Sequence, residues 1–406
     1  MAFIRPFRAL RPAPEVAPRV ASVPYDVVST DEARTLAHDN PLSFLHVTRS
    51  EIDLPPDTDP YSPAVYTQAA RNLEALKRSA PLVLEADPAL YFYRLRMGQH
   101  EQTGLAAAYS VDEYDTGLIK KHERTRRDKE DDRTRHITET RAQTGVVFLT
   151  YRASADVNAV AARVCAGAPL YDFTAEDGIR HAVWKVTGAE MRALTGAFAK
   201  IPALYIADGH HRAASAARVR QQVPGADTFL AVAFPDEQMQ ILPYNRVVKD
   251  LAGEAPDGFL AKLRAILPVG EGRPSPARRG LVEMYLAGKW YELDLGTADD
   301  PASVPPQAGQ DGAAALDVSR LQQRVIAPLL KIEDVRTDKR IDFVGGGRGT
   351  GALQKLVDTG KAAVAFSMHP VGIGDLLAIA DAGGIMPPKS TWFEPKLRDG
   401  LIVNLI

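Results

Sequence analysis

The segment Leu204-Tyr205-Ile206-Ala207-Asp208-Gly209-His210-His211-Arg212-Ala213-Ala214-Ser215-Ala216-Ala217 concentrates reactive side chains more sharply than any other in the chain. A short apolar strand enters, a glycine turns the backbone, and an alanine-rich helix leaves. Such a turn sets backbone N–H groups at the positive end of a helix dipole, where an anion is favoured. Phosphate is the natural ligand there: Gly209 makes the turn, Arg212 can grip an oxyanion bidentately, and His210 or His211 can add a hydrogen bond or move a proton. Asp208 would repel a phosphate and better suits a metal ion or a substrate group. The alternative is an ordinary helix start carrying surface histidines. Consecutive side chains do not share one helix face, so His210 and His211 do not chelate one ion together, and no His-Glu-x-x-His occurs.

Three other segments carry chemistry, each with two readings. Residues 119–135 are nearly all charged and include His122, Glu123 and Arg124. They form either a solvated helix laced with pairs such as Asp128 with Arg124, or a polyphosphate clamp with Glu123 as general base or metal ligand. The loop Gly345-Gly346-Gly347-Arg348-Gly349-Thr350-Gly351-Ala352 contains a formal Gly-x-Gly-x-x-Ala. A dinucleotide fingerprint also needs a βαβ unit, so a strand-to-helix turn fits equally well. Near the end, Met386-Pro387-Pro388-Lys389-Ser390-Thr391-Trp392-Phe393-Glu394-Pro395-Lys396 is either a loop closing on a site through Lys389 or Lys396, or a packed strap with its aromatics in a core.

The elements that must position these groups alternate between helix and strand. The pattern predicts strands near 19–23 and 43–47, helices at 31–38 and 62–78, and a hairpin from strands 89–97 and 104–111. Strand 146–151, helix 155–165, strand 182–186, helix 188–198 and strand 203–206 lead to the box; a helix over 213–221 follows it. Strands at 229–234 and 240–248 come next, then strands at 281–286 and 289–295. A Pro/Gly/Gln/Asp-rich linker spans 297–312, with a helix over 317–331, one near 351–359, a strand over 362–368 and a helix over 373–382 beyond it. The mixture points to an α+β or α/β architecture.

Composition narrows the classes. At 406 residues the chain has room for two or three domains. Forty-nine Lys+Arg against 51 Asp+Glu give a formal charge of −2, which argues against a protein that coats DNA. Cys165 is the only cysteine, so no intramolecular disulfide and no multi-cysteine zinc site can form, as in a reducing cytosol. The first residues lack a signal-peptide pattern and no long apolar run occurs, so the expectation is a cytoplasmic protein without a membrane partner.

Several of these segments together, with Phe7-Arg8-Ala9-Leu10-Arg11-Pro12, Val23-Pro24-Tyr25-Asp26-Val27-Val28 and Asn40-Pro41-Leu42-Ser43-Phe44-Leu45-His46-Val47, resemble a widespread bacterial and archaeal family of unknown function, often labelled ParB/RepB-like. The resemblance covers nearly the whole chain, with the motifs in order. The Asp-Gly-His-His-Arg box is also similar to the second box of the ParB/sulfiredoxin superfamily, which binds nucleotide phosphates at a helix N-terminus. Sulfiredoxin chemistry needs a cysteine where this chain has His210, and the helix-turn-helix of ParB has no counterpart. Free-serine kinases match the box better, although their catalytic glutamate lies in a segment that does not align with this chain.

The resemblance therefore implies an α+β fold, with a ParB/sulfiredoxin-like nucleotide-binding core with insertions over 1–250 and a C-terminal α/β region over 251–406. It implies a kinase that moves a phosphoryl group from ATP or ADP, with CTP as a further candidate and with Mg²⁺, to a small-molecule hydroxyl, foremost that of free L-serine. Gly209, His210, His211 and Arg212, with His122 and Arg124, would hold the phosphates. Asp208 would position the metal or acceptor, Glu123 would be the base, and Asp26 beside Tyr25 would be the alternative base or ammonium-binding group. The other expectation is a ParB-like nucleotide-binding regulator without small-molecule turnover. A homodimer is compatible with either.

Overall fold

The computed structural model describes residues 2–296 and 311–406, so most of the expected linker lies outside the described residues. The chain divides into two compact units, one comprising Met1–Lys121, Thr125–Met239 and Pro395–Ile406, the other His122–Arg124 and Gln240–Glu394. Mixed helices and several sheets make the fold α+β.

The first unit is built on a nine-stranded sheet in the order Ile119–Lys120, Leu204–Asp208, Val147–Tyr151, Thr228–Pro235, His100–Ser110, Leu90–Met97, Arg180–Val186 and Tyr171–Thr174, with Ile4–Arg5 paired to His100–Ser110. Most pairs are antiparallel; Leu204–Asp208 runs parallel to Ile119–Lys120, and Thr228–Pro235 parallel to Val147–Tyr151. Alternate residues of these strands, among them Leu105, Ala107, Tyr109, Leu149, Ile206 and Ala231, bury one face in a core shared with Leu194, Phe198 and Ala213 from helices. The helices Ala155–Cys165 and Gly188–Phe198 fall where the apolar spacing places them. A four-stranded sheet joins Val83–Leu84, Ala9–Arg11, Val403–Leu405 and Ala142–Gln143. The helix Arg127–Thr140 packs on His210–Arg220 and on Pro63–Ser79. It buries Asp132, Thr134, His136 and Ile137, so the charged run is less solvated than a surface helix, and Asp128 pairs with Arg126 instead of Arg124.

The second unit carries a six-stranded sheet in the order Val269–Glu271, Lys289–Asp294, Leu281–Leu286, Val364–Ser367, Tyr244–Val248 and Ile341–Gly345. Every pair in it is antiparallel. The glycine loop therefore follows a strand with no parallel partner, and the dinucleotide fingerprint fails for want of a βαβ unit. The loop is a strand-to-helix turn through Gly346–Arg348 into the helix Gly349–Asp358.

Four local expectations differ from the structure. Residues 19–23 give no strand, because Pro18 in the first turn favours the short helix Ala17–Val20. Residues 43–47 are helical from Leu45 to Thr48: Ser43 Oγ accepts the Leu45 N–H at 3.3 Å, and Phe44 and Val47 are buried in a core shared with Leu73 and Leu76. The strand at 240–248 is interrupted at Pro243, which has no N–H for a ladder. The helix over 317–331 contains a π turn at Gln322–Ile326 just before Pro328, whose ring disfavours the normal bond to Arg324.

Candidate phosphate-binding site

The strand Leu204–Asp208 pairs with Val147–Tyr151, and the register shifts between Ile206 and Asp208, a bulge that re-aims the last strand residue. Gly209 follows with φ of 91°, a left-handed conformation that glycine takes without a Cβ clash, and the helix His210–Arg220 begins at once. The helix therefore starts three residues earlier than the alanine run predicts, which puts His210, His211 and Arg212 in its first turn. No side chain caps this N-terminus, and Gly209 donates its N–H to Asp208 Oδ1 at 2.8 Å.

Asp208 Oδ2 accepts from Lys396 Nζ at 2.7 Å. Burial alone would raise the Asp208 carboxyl. The Lys396 ammonium, the Arg212 guanidinium and the Lys396 hydrogen bond outweigh burial and hold it well below the usual carboxylate range. The C-terminal segment combines features of both readings, since Lys396 meets Asp208 of the box and Phe393 is buried in a core.

Arg212 runs inward and is 6% exposed. One terminal nitrogen donates to both oxygens of Asp26, at 3.1 and 2.8 Å, and the other to the Val146 carbonyl. Burial opposes its charge, but Asp26 and then Asp208 raise its pKa well above the ordinary value. Gly145 makes room for it, since a Cβ there would lie 3.2 Å from Arg212 Cδ. The carboxylate-gripping arginine expected for a phosphate is thus a pin joining the box to the Tyr25-Asp26 turn. Tyr25 is covered by the guanidinium of Arg133, 4.1 Å from its ring centre, and burial pushes its hydroxyl upward. A cavity of about 20 Å³ beside Arg212, Tyr25 and Gly145 has room for about one water and admits no nucleotide.

His211 Nε2 accepts the Arg126 N–H at 3.0 Å, so this imidazole carries its proton on Nδ1 and fixes the start of the charged helix. His210 is buried in the first turn. Among the described residues no group of three or more His, Cys, Asp or Glu side chains is arranged to hold a metal ion.

Asp208, Gly209, His210, His211, Arg212, Tyr25 and Asp26 thus all lie in the first unit, while His122, Glu123 and Arg124 belong to the second. His122 is buried there and its carbonyl accepts the Met386 N–H at 2.8 Å. Sequence reasoning missed Asp399. It is 1% exposed, exchanges two backbone hydrogen bonds with Ser22, and accepts the Val146 N–H on Oδ1 at 3.4 Å, while Oδ2 has no partner. Burial raises its carboxyl to about 7, against the pull of Arg212 and with Asp26 adding to the rise. The signal was present: Lys396, Arg398 and Asp399 are charges set within the apolar stretch Leu397, Leu401, Ile402, Val403.

The first unit is thus an α+β scaffold that sets a glycine-turned helix start, without a side-chain cap, beside fixed charges. The chain belongs to the family described as "Protein of unknown function (DUF1015)", whose model matches residues 4–319. No curated protein matches it. Among solved structures the chain is similar to a conserved hypothetical protein from Pyrococcus furiosus, at 14% identity and a TM-score of 0.35, over 74% of this chain and 95% of that one. It is similar also to SbnI with a C-terminal truncation from Staphylococcus aureus (13%, TM-score 0.40, 74% and 87%) and to a free serine kinase in complex with AMP (13%, 0.37, 74% and 92%). No helix among the described residues is long and apolar enough to cross a membrane.

Proposed function

We propose that the first unit binds the phosphates of ATP or ADP at the start of the helix His210–Arg220, on a ParB/sulfiredoxin-like core, and that the protein transfers a phosphoryl group to a small-molecule hydroxyl, foremost that of L-serine. The observation that carries this reading is the helix N-terminus at Gly209, uncapped by any side chain and joined to the permanently charged Arg212. Gly209 contributes the turn that opens the helix, its own N–H being held by Asp208, and the phosphates would lie at the positive end of the helix dipole beyond it. Lys396, held by Asp208, supplies a cation at the turn. Arg212 acts from within, as long-range positive charge and as the anchor of Asp26.

In the reaction, the acceptor oxygen attacks the terminal phosphorus, the bond to the nucleotide's bridging oxygen breaks, and the hydroxyl proton passes to a carboxylate. Asp26 and Glu123 are the two carboxylates proposed for that role. The box carboxylates Asp208 and Asp26 are each already paired with a cation, so they do not make a ready metal cage. A Mg²⁺ ion arriving with nucleotide would take its ligands chiefly from phosphate oxygens and water.

The test is a nucleotide panel crossed with hydroxy amino acids, read first as thermal shift and then as O-phosphoserine formed. Asp26→Asn and Glu123→Gln identify the base by which of them lowers turnover with nucleotide binding retained. Nucleotide binding without any phosphorylated small-molecule product would overturn the kinase reading in favour of a nucleotide-binding regulator.

A further inference from the structure

We propose that the second unit carries a binding site of its own for a small organic carboxylate with a neighbouring ammonium or hydroxyl group. The site is a cavity of about 300 Å³ lined by Glu123, Arg124, Ser319, Gln323, Arg336 and the wall formed by residues 385–388. This goes beyond phosphotransfer at the glycine turn, and its test needs no nucleotide.

Size and lining set the class of ligand. The volume stands at the lower end of the range for small-molecule pockets. Arg124 has no hydrogen bond or ion pair among the described residues. Arg336 commits Nε and one terminal nitrogen to Asp334, at 2.9 and 2.8 Å, which leaves its third nitrogen without a hydrogen-bond partner among the described residues. Two guanidinium groups with donors to spare match the planar geometry of a carboxylate. Glu123 is the anionic side chain in the lining and suits an ammonium or hydroxyl on the same ligand. Ile385, Met386, Pro387 and Pro388 offer an apolar surface for a short carbon body.

The wall is held in advance of any ligand. Pro387 and Pro388 fix their own φ, the Met386 N–H is tied to the His122 carbonyl, and Ser390 Oγ donates to the Pro387 carbonyl at 2.6 Å. Lys389 follows in a left-handed conformation, φ 57°, unusual for a side-chain-bearing residue. Its carbonyl accepts from Arg246 at 3.0 Å. Arg246 is 4% exposed, bonds only the carbonyls of Tyr244 and Lys389, and has no carboxylate partner among the described residues. Burial lowers its pKa to about 10. A buried charge without a counter-ion and a left-handed lysine both cost stability, and such costs persist where a loop must keep one shape.

The experiment is calorimetric titration of the full chain with L-serine, D-glycerate and inorganic phosphate, for the unaltered protein and for Arg124→Met and Arg336→Met. Both arginines are exposed, and unchanged circular dichroism and unfolding midpoints verify that the variants fold. The expected result is saturable binding of at least one hydroxy carboxylate, weakened tenfold or more by either substitution, with phosphate a poor competitor. Phosphate binding as tight as that of the carboxylates and equally weakened by either substitution would overturn the ligand class. No carboxylate binding, or binding indifferent to both arginines, would overturn the site. Carboxylate binding that depends on both arginines, without any phosphorylated product, would leave this site standing while overturning phosphotransfer, and phosphoserine formation without such binding would do the reverse.

Discussion

Asp399→Asn tests the buried charge cluster behind the glycine turn most directly. In the folded protein burial lifts this carboxyl from 3.8 to about 7. Between those values the folded state keeps a proton that the unfolded chain has released, so this group's contribution to stability is complete below about pH 4 and is lost as the pH rises through about 7. At roughly 1.4 kcal/mol per pH unit, the span from 3.8 to about 7 corresponds to about 4 kcal/mol. Asparagine copies the shape of the protonated acid and cannot ionise. Urea unfolding of both proteins from pH 4.5 to pH 8, followed by circular dichroism, gives two curves. In their difference the titration of every other group cancels to first order. The variant should gain on the unaltered protein by several kcal/mol across the range, with most of the change below pH 7. Parallel curves would mean that Asp399 is ionised throughout, paired with Arg212, and would refute the placement of a neutral acid in this cluster.

Three further substitutions probe the same unit. Lys396→Met leaves the part-buried Asp208 carboxylate with only the more distant charge of Arg212 and should destabilise by about 2 kcal/mol, much of it recovered when Asp208→Asn is added; additive effects in the denaturation cycle would contradict the pair. Because the Asp208 carboxyl is depressed, its share of stability is present at neutral pH and lost on acidification below about pH 4, a loss that Asp208→Asn should abolish. Gly209→Ala meets only ordinary contacts, the nearest at 3.4 Å, so its cost of about 1–2 kcal/mol comes from the left-handed backbone. It should also weaken nucleotide binding in the thermal-shift panel, and unchanged affinity would separate the turn from phosphate recognition.

Much of the secondary structure was legible because it follows local patterns. The helices at 155–165 and 188–198 and the strand at 281–286 could be read from spacing alone. So could the cluster of box residues, since a strand, a glycine and a helix former are contiguous. The partners that give the box its electrostatics were not, because Asp26 and Arg212 are 186 residues apart and Asp208 and Lys396 are 188 apart. A charged residue carries no local mark of the opposite charge it meets. Arg212 is the example: its type suits a phosphate, and only the fold reveals that Asp26 is its partner. The short segments at 19–23 and 43–47 were misread because four or five apolar residues fit a strand and a helical turn equally well, and the prolines and Ser43 decided the outcome.

The strand Val403–Leu405 lies between Ala9–Arg11 and Ala142–Gln143, in the same unit as the chain's first residues. On a translating ribosome the stretch 240–394 emerges before that strand does, so the unit encoded in the middle can collapse while the one begun first waits for its closing piece. Until residues 395–405 leave the exit tunnel, Asp208 lacks Lys396, and the edges of Ala9–Arg11 and Ala142–Gln143 stand open to pairing with other nascent chains. Completion of the first unit thereby waits on residues 395–405, and chaperone demand during expression should fall on that unit.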